Sequence, residues 1–350
     1  MPAHGIDVLI RGAGPVGCAL ALALRDSGMR VGLLEASQAR PSFRPLALSY
    51  ASRLILERLG AWEALEATPI ETVHVSQQQG FGRTRMDAAD AGVPALGYVT
   101  QYSALRSVLH EDCKNLMVER ELPARCVVHA EGSSPEAAEK RYGQDALVAL
   151  VRTHPASSVI AFERFTPEGP LALLPLAGRY AVIWSCRPAR AAALLESSEE
   201  SFLKQLAAAA GSRPGQPLEV EARAVQPLVR RVRATRVEAR AVYIGNAAQS
   251  LHPVAGQGLN LGLRDAWELA RAFLDAEDPG DAGVLARYAQ NRRLDAQATV
   301  RVTDALAGAF LGSGRVLRAA RGAALTALDL FPGPRRFFAR RMMFGPSALP

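Results

Sequence analysis

A glycine-rich turn between a strand and a helix stands near each end of this chain, and that pairing constrains the fold more than any other feature. At the N-terminal end the apolar run Asp7-Val8-Leu9-Ile10 leads into Arg11-Gly12-Ala13-Gly14-Pro15-Val16-Gly17, and the Ala/Leu-rich run from Cys18 to Leu24 follows. In Gly-x-Gly-x-x-Gly so placed, the first glycine makes the turn, the second lets a pyrophosphate approach, and the third lets helix pack on strand. A second strand, Val31 to Leu34, ends in Glu35, where a carboxylate would hold a ribose hydroxyl. An acid there favours a free 2′-hydroxyl, hence FAD or NAD over NADP.

The other turn follows the apolar strand Ala241-Val242-Tyr243-Ile244 and reads GNAAQSLHPVAGQGLNLGLRDA over 245–266. Its small residues Gly245, Ala247 and Ala248 let backbone come close to a ligand. Gly256 and Gly258 open a helix whose N-terminal N–H groups would face an electron-rich partner. His252 reads as a core histidine packed beside Pro253 in preference to a proton carrier. Two such turns point to one large cofactor gripped at two places, so the sheet-rich middle of the chain is inserted into the cofactor unit.

With 350 residues, 49% hydrophobic and 21% charged, the chain has ample material for a core of two domains or one elaborated one. The net charge of +7 is concentrated: between Arg315 and Phe344 seven arginines face only Asp329. The remainder is close to neutral, which argues against a nucleic-acid partner. Cys18, Cys113, Cys126 and Cys186 are scattered and read as buried thiols of a reducing cytosol, with no metal site. No secretory signal and no transmembrane helix are expected.

Between the turns, 49–66 has helical spacing, 72–76 alternates like a strand, and 97–100 leads into a helix over 103–109. Residues 126–130 read as a buried strand. The runs 146–151, 158–165, 171–174 and 180–184 are spaced as an antiparallel sheet. Residues 198–210 read as helix, and 218–229 and 241–244 as strand. From Leu259 onward the chain reads as mostly helical, broken at Pro332 and Pro334.

With both turns in place, the chain resembles the ubiquinone-biosynthesis branch of the FAD-dependent aromatic hydroxylases. The matching segments are GAGPVG (12–17), RPLALSYASRLILERLGAW (44–62), VHVSQ (73–77), ALGYV (95–99), AFERFTPEGPLALLPL (161–176), GNAAQSLHPVAGQGLNLGLRDAWELA (245–270) and RYAQNRRLDAQAT (287–299). The resemblance implies an α/β fold with an α+β insert. A Rossmann-like FAD-binding domain (1–70, 98–135 and 236–305) would interleave with an antiparallel-sheet substrate domain (71–97 and 136–235), and 306–350 would form a basic helical C-terminal segment. It also implies site roles. Gly12, Ala13, Gly14, Pro15, Val16 and Gly17 would cradle the FAD pyrophosphate and Glu35 the adenosine ribose. Arg44 and Gln101 would approach FAD from the side, and Asn246 would meet its ribityl or pyrophosphate region. Pro253 and the turn Gly256-Gln257-Gly258-Leu259-Asn260 would lie against the isoalloxazine. A helix N-terminus stabilises negative charge there by roughly 0.3–2 kcal/mol.

The chemistry implied is ring hydroxylation of a polyprenylated phenol: NAD(P)H reduces FAD, O2 gives a flavin C4a-hydroperoxide, and the distal oxygen attacks the ring. No Ser-His-Asp set, carboxylate pair or metal cluster competes, and no catalytic acid or base is assigned. A polyprenyl tail stays in the bilayer, so a cytoplasmic enzyme peripheral to the inner membrane is expected, with a ubiquinone-biosynthesis complex as a candidate partner. The arginines of 315–344 interleave with Leu317, Leu325, Leu328, Leu330, Phe331, Phe337, Phe338, Met342, Met343 and Phe344, a membrane-surface pattern. A solvated helix with an ordinary buried face, or an Arg-rich protein contact, would leave the same pattern.

Three departures from the family stand out. Ala130-Glu131-Gly132-Ser133-Ser134-Pro135 replaces the family's Ala-Asp-Gly-x-x-Ser, the stretch between Gln101 and Glu131 is short, and Arg11 stands where relatives carry a small apolar residue. They motivate an alternative: a family member without catalysis, acting as a structural or substrate-presenting subunit. A plain NAD-dependent dehydrogenase is a weaker reading, since it leaves the 245–266 turn unused.

Overall fold

The computed structural model describes residues 5–35, 43–132, 136–156, 159–251, 256–311 and 314–345. Among them the strands form three sheets. The first has the order β15 (Val237–Glu238), β16 (Ala241–Tyr243), β9 (Ala124–His129), β1 (Ile6–Arg11), β2 (Val31–Leu34) and β8 (Met117–Val118). β1 lies parallel to both β2 and β9, with Val8 opposite Val31 and Cys126. Val8, Leu9, Ile10, Leu33 and Val128 are fully buried, which explains why these strands read as continuous apolar runs. Helix α1 (Pro15–Leu24) packs between this sheet and α7 (Gln257–Leu274). Its alanines keep the approach close.

The second sheet runs β17 (Gln249–Ser250), β14 (Gln216–Val232), β10 (Ala138–His154), β13 (Arg179–Cys186), β12 (Pro170–Leu176), β11 (Ile160–Phe165), β5 (Thr72–Gln77) and β6 (Arg83–Asp87). It is antiparallel except for the β5–β11 pair, which is parallel. The runs read as an antiparallel sheet (146–151, 158–165, 171–174 and 180–184) do pair that way, and the parallel exception joins β11 to the separate strand over 72–77. β5 and β11 are separated by a long crossover, so no hairpin imposes opposite directions. A small sheet, β3 (Pro45–Ser49), β7 (Gly97–Gln101) and β4 (Thr68–Ile70), bridges the two larger ones.

One helical expectation is adjusted. α2 (Tyr50–Arg58) stops at Leu59 because Gly60 turns the chain with φ 80°, so 61–66 is not helix. α3 (Ala88–Ala91) and α4 (Tyr102–Asp112) follow. α5 (Pro188–Glu196) precedes α6 (Glu199–Ala210), Pro188 serving as its first residue. The chain closes with α8 (Ala282–Leu311), α9 (Arg315–Leu330) and α10 (Pro332–Phe344). The helical run breaks at Pro332 as expected: α9 ends at Leu330, Phe331 is extended, and Pro332 and Pro334 lie in the first turn of α10, where a missing N–H costs nothing.

An ion network holds the second glycine turn against α7 and α8. Asp265 is fully buried; its carboxylate accepts from Arg292 Nε at 2.8 Å, Gln249 Nε2 at 2.7 Å and Arg236 Nη1 at 3.2 Å, and from the Gly245 N–H at 3.4 Å. Arg292 also meets Asp295 at 2.7 Å, which Arg264 holds at 2.9 Å. Burial alone would push both carboxyls up, but these guanidiniums outweigh it and hold both below the ordinary range. Depressed values stabilise the fold above the ordinary carboxylate pKa near 4, and that stability is lost as pH falls through the folded values. Asp265→Asn leaves the largely buried Arg236 without a carboxylate and Arg292 with Asp295 alone, and is expected to cost about 3–5 kcal/mol at pH 7 in denaturant unfolding, with the difference shrinking in acid.

Candidate active site

The two glycine turns meet. Val16 of the first lies where the second has no side chains: a Cβ on Gly245 would come within 3.1 Å of it and a Cβ on Gly262 within 2.7 Å. Gly12, with φ 109°, passes so close to Ala130 that a Cβ would sit 2.7 Å from its carbonyl carbon. Gly17 lies against Gly12, where a Cβ would reach the Gly12 oxygen at 2.0 Å. Gly256 caps α7 in the left-handed region with φ 60°, against Ala47.

A cavity of about 750 Å³ runs from these turns to the inner face of the second sheet. Gly12, Ala13, Gly14, Pro15, Val16, Glu35, Arg44, Asn246, Gly256, Gln257, Gly258, Leu259 and Asn260 all line it. Gly17 does not; it packs helix on strand. Gln101 is also outside the lining: it pairs with Pro45 across β3 and β7, and its neighbour Tyr102 lines the wall instead, under the Arg44 guanidinium at 5.2 Å. Pro253, His252 and Ser133 to Pro135 lie outside the described residues.

This end of the cavity fits an FAD. The N-termini of α1 and α7, capped by Gly14 and Gly256 with no side-chain bond, both open onto it. Uncapped N–H groups and helix dipoles there suit a pyrophosphate and an electron-rich ring edge. Arg106 holds Glu35 at 2.6 Å at the end of β2, fixing a carboxylate for a ribose hydroxyl. Asn260 differs from its expected role, since its side chain is committed to the scaffold. Its Oδ1 accepts from Ser49 N–H at 2.8 Å and the Ser52 hydroxyl at 2.7 Å, and its Nδ2 donates to the Ala47 and Gly256 carbonyls at 2.9 and 2.8 Å. It fixes the turn that faces the ligand.

Among the described residues the departures are accommodated. Arg11 is ion-paired with Glu121 from the shortened stretch, so no buried lone charge results. That stretch still supplies β8 to the edge of the first sheet. Glu131 bonds His129 Nδ1 at 3.1 Å, and Ala130, Glu131 and Gly132 keep their place at the cavity wall.

The other end is apolar. Val73, Val75, Met86, Val148, Ala172 and Leu174 form its floor. Its roof is made by α9 and α10, with Leu325, Leu328, Phe338, Ala339, Met342 and Met343 pointing in. Six residues expected on a membrane face are thus internal, Phe344 being packed on Tyr50. Exposed are Leu317, Leu330, Phe331 and Phe337, and also Val316. One acid stands in the apolar end, Glu163 on β11. Sequence reasoning passed over it, although an acid one residue after Phe162 in an otherwise apolar strand start, and thus on the face of Ala161 and Phe165, was the available signal.

The family model described as an FAD binding domain matches residues 5–146 and 127–303. The chain belongs to this FAD-binding family. Among curated proteins it is 30% identical to a ubiquinone hydroxylase, UbiL, of Rhodospirillum rubrum, over 96% of this chain and 89% of that one. It is 28% identical to the 3-demethoxyubiquinol 3-hydroxylase of Escherichia coli, over 83% and 86%. In fold it is similar to p-nitrophenol 4-monooxygenase PnpA of Pseudomonas putida, with TM-score 0.76, 20% identity and coverage of 95% and 96%. It is also similar to Klebsiella pneumoniae HpxO complexed with FAD and uric acid, with TM-score 0.78, 16% identity and coverage of 99% and 97%.

Two alanine substitutions separate fold from cofactor. Gly12→Ala is strained and clashes with backbone, so both stability and flavin retention should fall. Gly258→Ala meets nothing within 4 Å, so its melting temperature should stay within about 2 °C. Its new methyl group projects where the flavin would lie, and flavin affinity, read by fluorescence titration, should drop about tenfold or more.

Proposed function

We propose that this protein is an FAD-dependent monooxygenase that hydroxylates the ring of a polyprenylated phenol in ubiquinone biosynthesis, with NAD(P)H and O2 as co-substrates. The observation that carries this reading is the continuity of the cavity, polar and glycine-walled at one end and apolar at the other. The relatives named as ubiquinone hydroxylases support the substrate class. Bound FAD supplies the redox and oxygen chemistry that side chains lack. The chain's own part is to bind, orient and keep dry. Gly12 to Val16 and the α1 N-terminus would take the pyrophosphate, Glu35 the ribose, and the N–H groups opening α7 the electron-rich edge of the ring system. The roof of α9 and α10 would cover the prenyl chain and exclude water from the reacting atoms. The glycine turns with their strands form the cofactor unit in this reading, and the second sheet forms the substrate unit.

The alternative of a non-catalytic subunit is not favoured, since every described departure finds a partner or keeps its place. Purified protein is expected to be yellow and, given a short-chain prenylphenol, to consume NAD(P)H and yield a product heavier by one oxygen by mass spectrometry. A colourless protein that FAD cannot reconstitute would overturn the reading.

We also propose that the enzyme works in the cytoplasm at the surface of the inner membrane, alone or within a biosynthetic complex. Support comes from exposed Phe331, at the junction of α9 and α10, and Phe337 of α10, 59% and 70% accessible, beside helices rich in arginine. Among the described residues no helix is long and apolar enough to cross a membrane. Each arginine near anionic lipid adds about 1 kcal/mol. Replacing Phe331 and Phe337 together by Ser should weaken sedimentation with anionic vesicles at least about tenfold and leave flavin content unchanged.

A further inference from the structure

Glu163 stands on β11 with Ala172 of β12 and Val75 of β5 directly opposite, and all three line the apolar end of the cavity. Among the described residues two other acids line the cavity, and each has a partner: Glu35 has Arg106 and Glu131 has His129. Among the described residues Glu163 has no hydrogen-bond or ion-pair partner, and burial is the one influence on its carboxyl. An unpartnered carboxylate in an apolar wall is costly unless it takes up a proton or a ligand brings a donor.

The charged groups on neighbouring elements do not relieve it. Arg321 of α9 lies over the Phe165 ring at 4.6 Å. Arg164 bonds Ser76 and His74 packs on Phe162, both on the opposite face of the sheet from Val73 and Val75. Arg83 and Arg85 of β6 alternate with the cavity-lining Thr84 and Met86 and are exposed. Burial alone pushes the Glu163 carboxyl up to about 7. The group therefore exchanges its proton near neutral pH, the property that suits an acid–base residue.

We propose that Glu163 recognises the phenolic O–H of the ring substrate and accepts its proton during hydroxylation. The inference rests on the ring-hydroxylase reading above. The carboxylate accepts a hydrogen bond from the phenol and so orients the ring in a wall that offers little else polar. A phenol ordinarily ionises near pH 10, so it does not give up its proton outright. As the ring donates electrons to the incoming oxygen, the O–H bond breaks. The proton passes to a Glu163 oxygen, and the bonding pair stays on the phenol oxygen and feeds the ring. Glu163 returns the proton to water when product leaves. A matched base of this kind contributes about 10²–10⁴-fold.

The test uses the FAD-loaded full chain, a geranyl-substituted phenol, and the methyl ether of that phenol. Wild type should bind the phenol at least about tenfold tighter than the ether, read by flavin fluorescence, because a site built for an O–H rejects its absence. Glu163→Ala should abolish that preference. Glu163→Gln, nearly the same shape, should keep FAD and its reduction by NAD(P)H. Its kcat should fall about 10²-fold or more with KM within a few-fold. Wild-type kcat should rise with pH through about 7, where the carboxylate forms, and Glu163→Gln should lack that limb. Equal binding of phenol and ether by wild type, or variants that keep preference, rate and limb, would overturn the proposal. If wild type hydroxylates no prenylphenol, the function reading falls. The phenol-over-ether preference and its loss in Glu163→Ala then still decide whether Glu163 recognises the phenol. Should Glu163→Ala fail to fold, the isosteric Glu163→Gln decides through rate and pH profile, and a wild-type kcat with the wild-type limb overturns the proposal.

Discussion

The buried carboxylate of Asp265 is the constraint on which the rest of the architecture depends. It gathers a backbone N–H from the second glycine turn, a side chain from Gln249, and guanidiniums from Arg236 and Arg292, all away from water. A charge so placed has a single arrangement that satisfies it, and that arrangement fixes the turn against α7. With the turn fixed, Gly245 and Gly262 leave the space that Val16 fills, and the two ends of the chain become one wall. Asn260 completes the lock by bonding β3, α2 and the first turn of α7 at once.

That wall sets up a gradient of polarity along one cavity. Backbone N–H groups and the Arg44 and Arg106 side chains cluster where two helices begin. Away from them the lining turns to aliphatic residues of the second sheet and to the roof supplied by α9 and α10. Glu163 interrupts the apolar part with a single ionisable group, so a ring held there meets one group able to take up a proton. The C-terminal helices carry two jobs on two faces. Met343, 2% accessible, closes the chamber, while Phe337 stands in solvent.

Much of this was legible in local sequence because the physics is local. A glycine needed for a positive φ, a strand buried on both faces, and an acid at the end of β2 all act within a few residues, and the turns at Gly12 and Gly256 stand where the pattern put them. The antiparallel hairpins β11–β12 and β12–β13 follow from short connections between apolar runs. The parallel β5–β11 pair did not, because pairing between distant segments leaves no mark on either. α2 ended early at Gly60, and Pro332 began a helix, each through a single residue whose effect depends on where the neighbouring chain goes.

The sequence by itself determined that two strand–turn–helix units with glycine approaches exist, and what chemistry such turns favour. Only the tertiary structure decided which polar residues serve the ligand and which serve the frame. Asn260 and Gln249 belong to the frame, and Gln101 stands outside the wall. Arg11 is paired by Glu121 across a gap the sequence does not measure. The apolar residues of 315–344 looked alike in the sequence, yet packing turned some inward and left others exposed. Side-chain partners are set by distances between segments far apart in the chain, and those distances exist only once the sheets and helices have closed on one another.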